Sequence, residues 1–414
     1  MNQPTGLPAL DVNALRKEFP ILDQQVNGHP LVYFDNAATT QKPVRVIDRL
    51  SDYYRKDNAN IHRGIHTLAD RATRAFEETR KAVAAFISAS SAEEIIFTRG
   101  VTEGINLVAA SFGKQFVRKD DEILISGLEH HSNIVPWQLL CEERGAKLKV
   151  IPVLDDGTLD MDVFRSMLKK GKTRLVSVNH ASNSLGTINP IEEIIREAHY
   201  ADAAVLIDGA QGVAHLPVNV TALDCDFYVA SGHKMYGPTG VGFLYGKRQW
   251  LEKMPPWQSG GEMIAQVTFE KTTWNKIPYK FEAGTPNIAD VTALAEAIAF
   301  MNQHGRAILA AHEHALLTYA SERLKAVDGI RFYGTAINKV SVISFLMDGF
   351  HPFDIGQMLD ARGIAVRTGH HCTQPLMDRF RIEGTVRASF AAYNTFEEVD
   401  KLVEALKRLE KLRA

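Results

Sequence analysis

Between residues 94 and 245, short apolar runs alternate with amphipathic stretches, and few folds accommodate that order. Glu94–Thr98, Glu122–Ser126, Lys147–Val153, Arg174–Val178, Ala204–Asp208, Phe227–Ala230 and Val241–Tyr245 read as strands. Helical stretches separate them, among them Ile105–Ala110, one after Asn133 and one opened by Pro190. This alternation argues an α/β domain built on a mostly parallel sheet. Ligands of such sheets bind beyond the carboxyl ends of the strands. The polar residues Thr98 to Thr102, His130, His131, Asn179 to Asn183, Asp208 and Gln211 all fall at those ends.

The flanks read differently. Asp11 caps a short helix, Val12–Glu18, which Pro20 ends. Leu31–Phe34 is a strand running into the small polar turn Asp35–Thr40, which is suited to present backbone groups to a ligand. Pro43 opens a helix through Arg55. A long amphipathic helix follows, with Leu68, Ala72, Ala75, Phe76, Thr79, Val83 and Phe86 on one face. From about residue 290 the pattern becomes two long helices, Ala289–Gly305 and Ala307–Val327. Strands Ile330–Tyr333, Val340–Phe345, Ala365–Arg367 and Thr385–Phe390 come next, with helices over Phe353–Arg362 and from Thr395. The expected division is a large α/β domain over 26–295, and a smaller α+β domain made of 1–25 with 296–414.

A chain of 414 residues exceeds what one compact core organises. Its formal net charge of −2 points to no nucleic-acid or membrane partner. No apolar stretch is long enough to span a bilayer, and the first ten residues carry neither a signal core nor an arginine-rich leader. Three scattered cysteines, Cys141, Cys225 and Cys372, exclude a disulfide framework and fit a reduced, cytoplasmic setting. His62 and His66 share a helical spacing, but Gly64 lies between them and no carboxylate accompanies them, so no metal site is expected.

Chemistry concentrates in Ser231-Gly-His-Lys234, set between two apolar strands and followed by Gly237, Pro238, Gly240 and Gly242. A lysine buried on such a turn has a lowered pKa and serves as the amine of a Schiff base. If the aldehyde is pyridoxal 5′-phosphate (PLP), the rest of its requirements can be sought in the chain. Gly100-Val-Thr-Glu-Gly104 offers a helix N-terminus and Thr102 for the phosphate. Asp208 offers a carboxylate for the pyridine nitrogen, His131 an imidazole to stack on the ring, and Gln211 a donor to the phenolic oxygen.

Asp208-Gly-Ala-Gln211, Ser231-Gly-His-Lys234 and Ala283-Gly-Thr-Pro-Asn287 together resemble the class V aminotransferase superfamily of PLP fold-type I enzymes. Phe34-Asp-Asn-Ala-Ala-Thr39, Asn60-Ile-His-Arg-Gly-Ile-His66 and Arg367-Thr-Gly-His-His-Cys372 narrow the resemblance to the group II, SUF-type cysteine desulfurases. The resemblance runs from about Leu15 to about Asn394 and implies a mostly parallel seven-stranded sheet. It implies that Lys234 carries the cofactor, that Thr102, Ser231 and His233 hold the phosphate, and that His131, Asp208 and Gln211 hold the ring. It further implies that Thr285 reaches the phosphate of a neighbouring subunit in a homodimer. Asn183 and Arg387 would take the substrate carboxylate, with Arg367 lining the pocket near the thiol.

Cys372 decides the expected function. It alone of the three cysteines sits on a polar loop, where Arg367, His370 and His371 are placed to favour a thiolate. The loop is short, which implies a thiol of limited reach and a protein partner that collects the sulfur. The expected reaction is conversion of L-cysteine to L-alanine with a persulfide left on Cys372. A small acceptor of the SufE or SufU type, and iron–sulfur cluster assembly downstream, are what the resemblance implies. The alternatives are a selenocysteine lyase, another PLP β-lyase, or a non-enzymatic scaffold that relays persulfide.

Overall fold

The computed structural model describes residues 8–411, so both termini of the proposed smaller domain lie partly outside the described residues. The central sheet has seven strands: β1 (Ile95–Thr98), β2 (Glu122–Ser126), β3 (Lys147–Ile151), β4 (Thr173–Asn179), β5 (Ala204–Asp208), β6 (Phe227–Ser231) and β7 (Gly242–Gly246). Their order is β1-β7-β6-β5-β4-β2-β3. Only β7 is reversed, antiparallel to both β1 and β6. The α/β fold with a mostly parallel seven-stranded sheet is thus the one expected. Every residue of β1, β2, β5, β6 and β7 is buried, which is why these strands read as unbroken apolar runs. Register aligns the polar ends, with Asn179 opposite Asp208 and Asp208 opposite Val229.

Two helices depart from the sequence reading. In α1 (Thr67–Phe86), Ala72, Phe76, Thr79, Val83 and Phe86 are buried as read, but Leu68 is exposed and Arg80 takes a core position. Arg80 is tolerated there because Glu282 receives it at 2.7 and 2.9 Å and Glu77 at 3.0 Å. The second helix, α2 (Val101–Val108), starts four residues earlier than Ile105. Gly100 permits this early start. At φ +149° it turns the chain out of β1, and Ser231 Oγ then accepts the Val101 N–H at 2.9 Å.

A second sheet forms from β8 (Ile330–Tyr333), β9 (Val342–Met347), β10 (Arg367–Gly369) and β11 (Thr385–Ser389), antiparallel in the order β8-β9-β11-β10. The run Ala365–Arg367, expected as one strand, is divided between two sheets. Ile364–Ala365 pairs in parallel with Val32–Tyr33, and Arg367 opens β10. Strand Val32–Tyr33 falls within 26–295, yet Val32 and Phe34 pack with Phe345, Ile364 and Leu402 of the smaller unit. Phe34 donates its N–H to Ala365 O at 2.9 Å and accepts that of Ser389 at 2.7 Å. Leu15 and Phe19, expected with the smaller unit, lie in an apolar cluster that also holds Phe300, Leu309, Leu376 and Tyr393 of that unit. The Phe19 ring lies 5.4 Å from Phe300 and 4.7 Å from Tyr393. An exposed hairpin, Ile264–Val267 with Thr272–Trp274, has no counterpart in the sequence reading. Among the described residues no helix is long and apolar enough to cross a membrane.

Candidate active site

A cavity of about 260 Å³ opens at the carboxyl ends of β4, β5 and β6. Thr102, Asn183, Asp208, Gln211, Ser231, His233 and Lys234 line it from the sheet side, and Arg367, Cys372 and Arg387 from the smaller unit. Sequence positions as far apart as Ala37 and Arg387 therefore share one chamber.

Lys234 ends a single helical turn, Gly232–Lys234, that β6 delivers into the cavity. The peptide bond before it is held firmly. His233 O accepts the Thr40 N–H, the Thr39 hydroxyl and the Lys42 ammonium, each at 3.0 Å. Among the described residues no acceptor takes Lys234 Nζ. Burial pushes its pKa down to about 8, against the opposing pull of the Asp208 carboxylate. Asp208 lies at the end of β5 with Oδ1 on the Ala210 N–H at 2.9 Å. Burial pushes its carboxyl above the ordinary range, as expected of a buried acid awaiting a cationic partner. Gln211 is anchored through Nε2 to Ala37 O at 2.7 Å.

Of the adjacent pair, His130 lines the cavity, as do His233 and His371, and His131 does not. His130 Nδ1 is fixed by Ser132 Oγ at 2.9 Å and by the Ser132 N–H at 3.1 Å. The His131 ring turns to the thiol loop, where Nε2 accepts the Gln374 N–H at 3.2 Å. Glu129, just before them, was not anticipated. It is fully buried and receives the Asn179 N–H at 3.0 Å and Asn133 Nδ2 at 2.6 Å, tying the end of β2 to that of β4.

Cys372 is half-buried on a loop strapped from several sides. The His131 N–H donates to Cys372 O at 2.8 Å, and Asn183 Nδ2 to His371 O at 2.8 Å. Ser184 Oγ and Thr373 Oγ1 lie 2.7 Å apart. His371 and Cys372 both adopt left-handed backbone, φ +51° and +57°. Each such residue costs about 1–3 kcal/mol, which the straps must offset. Burial and the adjacent Arg387 and Arg367 charges push His371 down to about 2, so it is neutral and lends the thiolate no charge. The other cysteines are buried in apolar clusters, and burial raises Cys141 to about 11.

Arg387 is buried, with Nη1 on Asn183 O at 2.9 Å and Nη2 on Asp35 Oδ1 at 3.1 Å. Arg367 meets the same carboxylate, Nε to Oδ1 at 3.0 Å and Nη2 to Oδ2 at 2.9 Å. No local pattern could have shown Asp35 in this position, since Arg367 is 332 residues away. Thr285 is exposed and does not line the cavity. His62 pairs with Glu77 at 3.0 Å, His66 caps α1, and no metal-binding group of side chains occurs among the described residues.

The cavity fits a phosphorylated pyridine aldehyde. It provides an unengaged amine, a buried carboxylate, and hydroxyls beside a helix N-terminus. Two buried atoms of its wall, Arg387 Nε and His371 Nδ1, lack any partner, and leaving such atoms unmet costs about 1–3 kcal/mol each.

A lysine and an aspartate facing each other at the carboxyl ends of this sheet define a fold-type I, cofactor-binding class of protein. The chain belongs to the class-V aminotransferase family, whose model matches residues 32–402, and enzymes of that family work with PLP. It is 51% identical to a cysteine desulfurase of Escherichia coli O157:H7 over 97% of this chain and 98% of that one. It is 53% identical to a cysteine desulfurase of Synechococcus elongatus over 98% of this chain, but spans only 64% of that longer relative. Among solved structures, the apo cysteine desulfurase of Thermococcus onnurineus superposes with a TM-score of 0.92 at 38% identity, covering 98% of this chain and 100% of that one. The S-sulfonic acid form of the E. coli cysteine desulfurase CsdA gives 0.91 at 37% identity, with 98% and 100% covered.

Proposed function

We propose that this chain is a PLP-dependent cysteine desulfurase that moves sulfur from L-cysteine to Cys372 and releases L-alanine. The observation that carries this reading is a cysteine on the wall of the same cavity as Lys234. Thr102, Ser231 and His233 hold the phosphate, Asp208 the ring nitrogen, Gln211 the phenolic oxygen, and His130 packs on the ring. Bound there, PLP supplies an electron sink for the pair left when the substrate loses its Cα proton. Arg387 and Asn183 receive the substrate carboxylate, with Arg367 at the mouth. Lys234 takes up the Cα proton as a general base and returns a proton later. The Cys372 thiolate attacks the substrate sulfur. An S–S bond forms and the Cβ–S bond breaks, Cβ gains the proton that the substrate thiol gives up, and alanine leaves with Cys372 as a persulfide.

Thr285 is assigned to the phosphate site of a second copy in a homodimer. The fully exposed Ile65 and Phe269 are apolar surface that such a contact would cover. The acceptor is a small protein of the SufE or SufU type in the cytoplasm, feeding iron–sulfur cluster assembly. L-Selenocysteine, which differs from L-cysteine by one atom, is expected to be a second substrate.

The test is stoichiometric. Loaded with PLP and given L-cysteine and a thiol reductant, the protein is expected to form one alanine per sulfide. Sulfide accompanied by pyruvate in place of alanine would overturn the reading in favour of a β-lyase. The lowered pKa of Lys234 gives a pH prediction. Below about 8 the amine is protonated and cannot condense with an aldehyde; above it the amine is free. The rate at which apo-protein gains visible absorbance on mixing with PLP is expected to rise through a midpoint near 8. A midpoint near that of an ordinary lysine would show that burial does not tune this amine.

A further inference from the structure

Lys42 is a residue that the proposed chemistry does not use, yet its amine rests on the peptide bond that leads into Lys234. It stands just before the helix Val44–Asp52. Lysines ordinarily keep the amine in water, but this half-buried side chain turns inward. Nζ donates to His233 O at 3.0 Å and to Thr40 O, and lies 3.4 Å from Thr39 Oγ1. Among the described residues no carboxylate receives it. Burial without such a partner pushes the amine down to about 7, so this placement costs stability.

Neither the carbonyl nor the turn needs this donor. His233 O already accepts the Thr40 N–H and the Thr39 hydroxyl, each at 3.0 Å, and a carbonyl has two lone pairs. The turn is tied independently, by Tyr33 Oη to Thr39 O at 2.9 Å and by the Gln41 N–H to Tyr393 Oη at 2.9 Å. What the further donor adds is orientation. A peptide unit is planar, so holding His233 O also holds the N–H of Lys234 and the direction in which its side chain leaves. The same turn grips the chain two residues on, where Thr40 Oγ1 accepts the Tyr236 N–H at 2.9 Å and Tyr236 adopts left-handed backbone, φ +64°. Lys234 itself is a flexible stem with no acceptor on Nζ among the described residues, so its aim depends on its backbone. We infer that Lys42 is a positioning residue for Lys234: by fixing the His233–Lys234 peptide it aims the Lys234 amine at the cofactor aldehyde and at the substrate Cα proton. Aim matters because a misplacement of about 1 Å can cost on the order of 10²-fold in rate.

This inference rests on the proposed function, because it takes Lys234 as the amine that meets both cofactor and substrate. Its test compares the full-length protein with Lys42→Met, which keeps most of the side chain and removes its donors. The first readout needs no turnover. Apo-protein mixed with PLP is expected to gain visible absorbance about tenfold more slowly in Lys42→Met, and to reach the same final absorbance per chain. A merely structural role would lower the final absorbance or leave the rate unmoved, and either result overturns the assignment. The second readout uses PLP-loaded protein and L-cysteine deuterated at Cα. Lys42→Met is expected to lower kcat about tenfold or more with KM little changed, and to raise the deuterium isotope effect on kcat, because proton removal by a badly aimed amine becomes the slow step. A fall in kcat with an unmoved isotope effect overturns the assignment. Should Lys42→Met fail to fold, Thr39→Val serves instead. It removes a hydroxyl from the same carbonyl and is expected to move both readouts in the same direction, and unmoved values again overturn the assignment. The two readings fail separately. A protein that makes no alanine from cysteine refutes the proposed function, and the rate of PLP uptake still tests Lys42. A desulfurase with an unmoved uptake rate and isotope effect refutes only the part given to Lys42.

Discussion

Cys372→Ala is expected to lower alanine formation from L-cysteine by on the order of 10⁴-fold, while the protein still binds PLP and keeps its visible absorbance. The size follows from what is removed. The thiolate is the atom that takes the sulfur, and no other group in the cavity can form the S–S bond. Cys141 and Cys225 cannot substitute, because both are buried in apolar clusters away from the chamber and burial raises both thiols. The loop should survive the change, since its straps run through the backbone of His371 and Cys372 and the hydroxyl of Thr373, not through Sγ. Alanine release at the original rate would assign the sulfur acceptor elsewhere.

Lys234→Ala is expected to lose the lysine-dependent visible absorbance altogether and to lose turnover by a similar factor. Two half-buried lysines have pKa values pushed to a similar level, Lys42 to about 7 and Lys339 to about 8, and both are reasonable suspects on pKa alone. Geometry separates them. Lys42 Nζ is engaged by the His233 carbonyl at 3.0 Å and Lys339 Nζ by that of Gly334, and neither residue lines the cavity. Borohydride treatment of the loaded protein followed by peptide mapping decides among the three. The adduct is expected on the peptide holding Lys234, and finding it on Lys42 or Lys339 would refute the assignment.

The central sheet was legible because most of its strands are buried on both faces, so these appear as apolar runs. Glu122–Ser126 and Ala204–Asp208 are bounded in the structure as they read in the sequence. The hairpin over 264–274 was not legible, because it faces solvent and carries no core pattern. That His130 and not His131 lines the cavity has a different origin. Two adjacent identical side chains give no periodicity, and the outcome was set by Ser132 capturing one ring and Gln374 the other. Asp35 was legible only as part of a polar turn, because its partners come from the far end of the chain. Arg80 is absent from the apolar face read for its helix, and only its pairing with Glu282, 202 residues on, lets it lie in the core.

The pairing of Val32–Tyr33 with Ile364–Ala365, and of Phe34 with Ser389, bears on how the chain is made. During synthesis the early strand emerges first and its partners come last. Asn36 and Ser389, joined by a hydrogen bond, are 353 residues apart. At ~5–20 residues per second, the nascent chain waits on the order of 20–70 s before that edge can close. The central sheet can form meanwhile, but Val32 and Phe34 remain without their apolar cover until the end. The cavity therefore cannot be completed before residue 387 has emerged, and a ribosome that stalls earlier leaves Lys234 with no Arg387 to line the chamber with it.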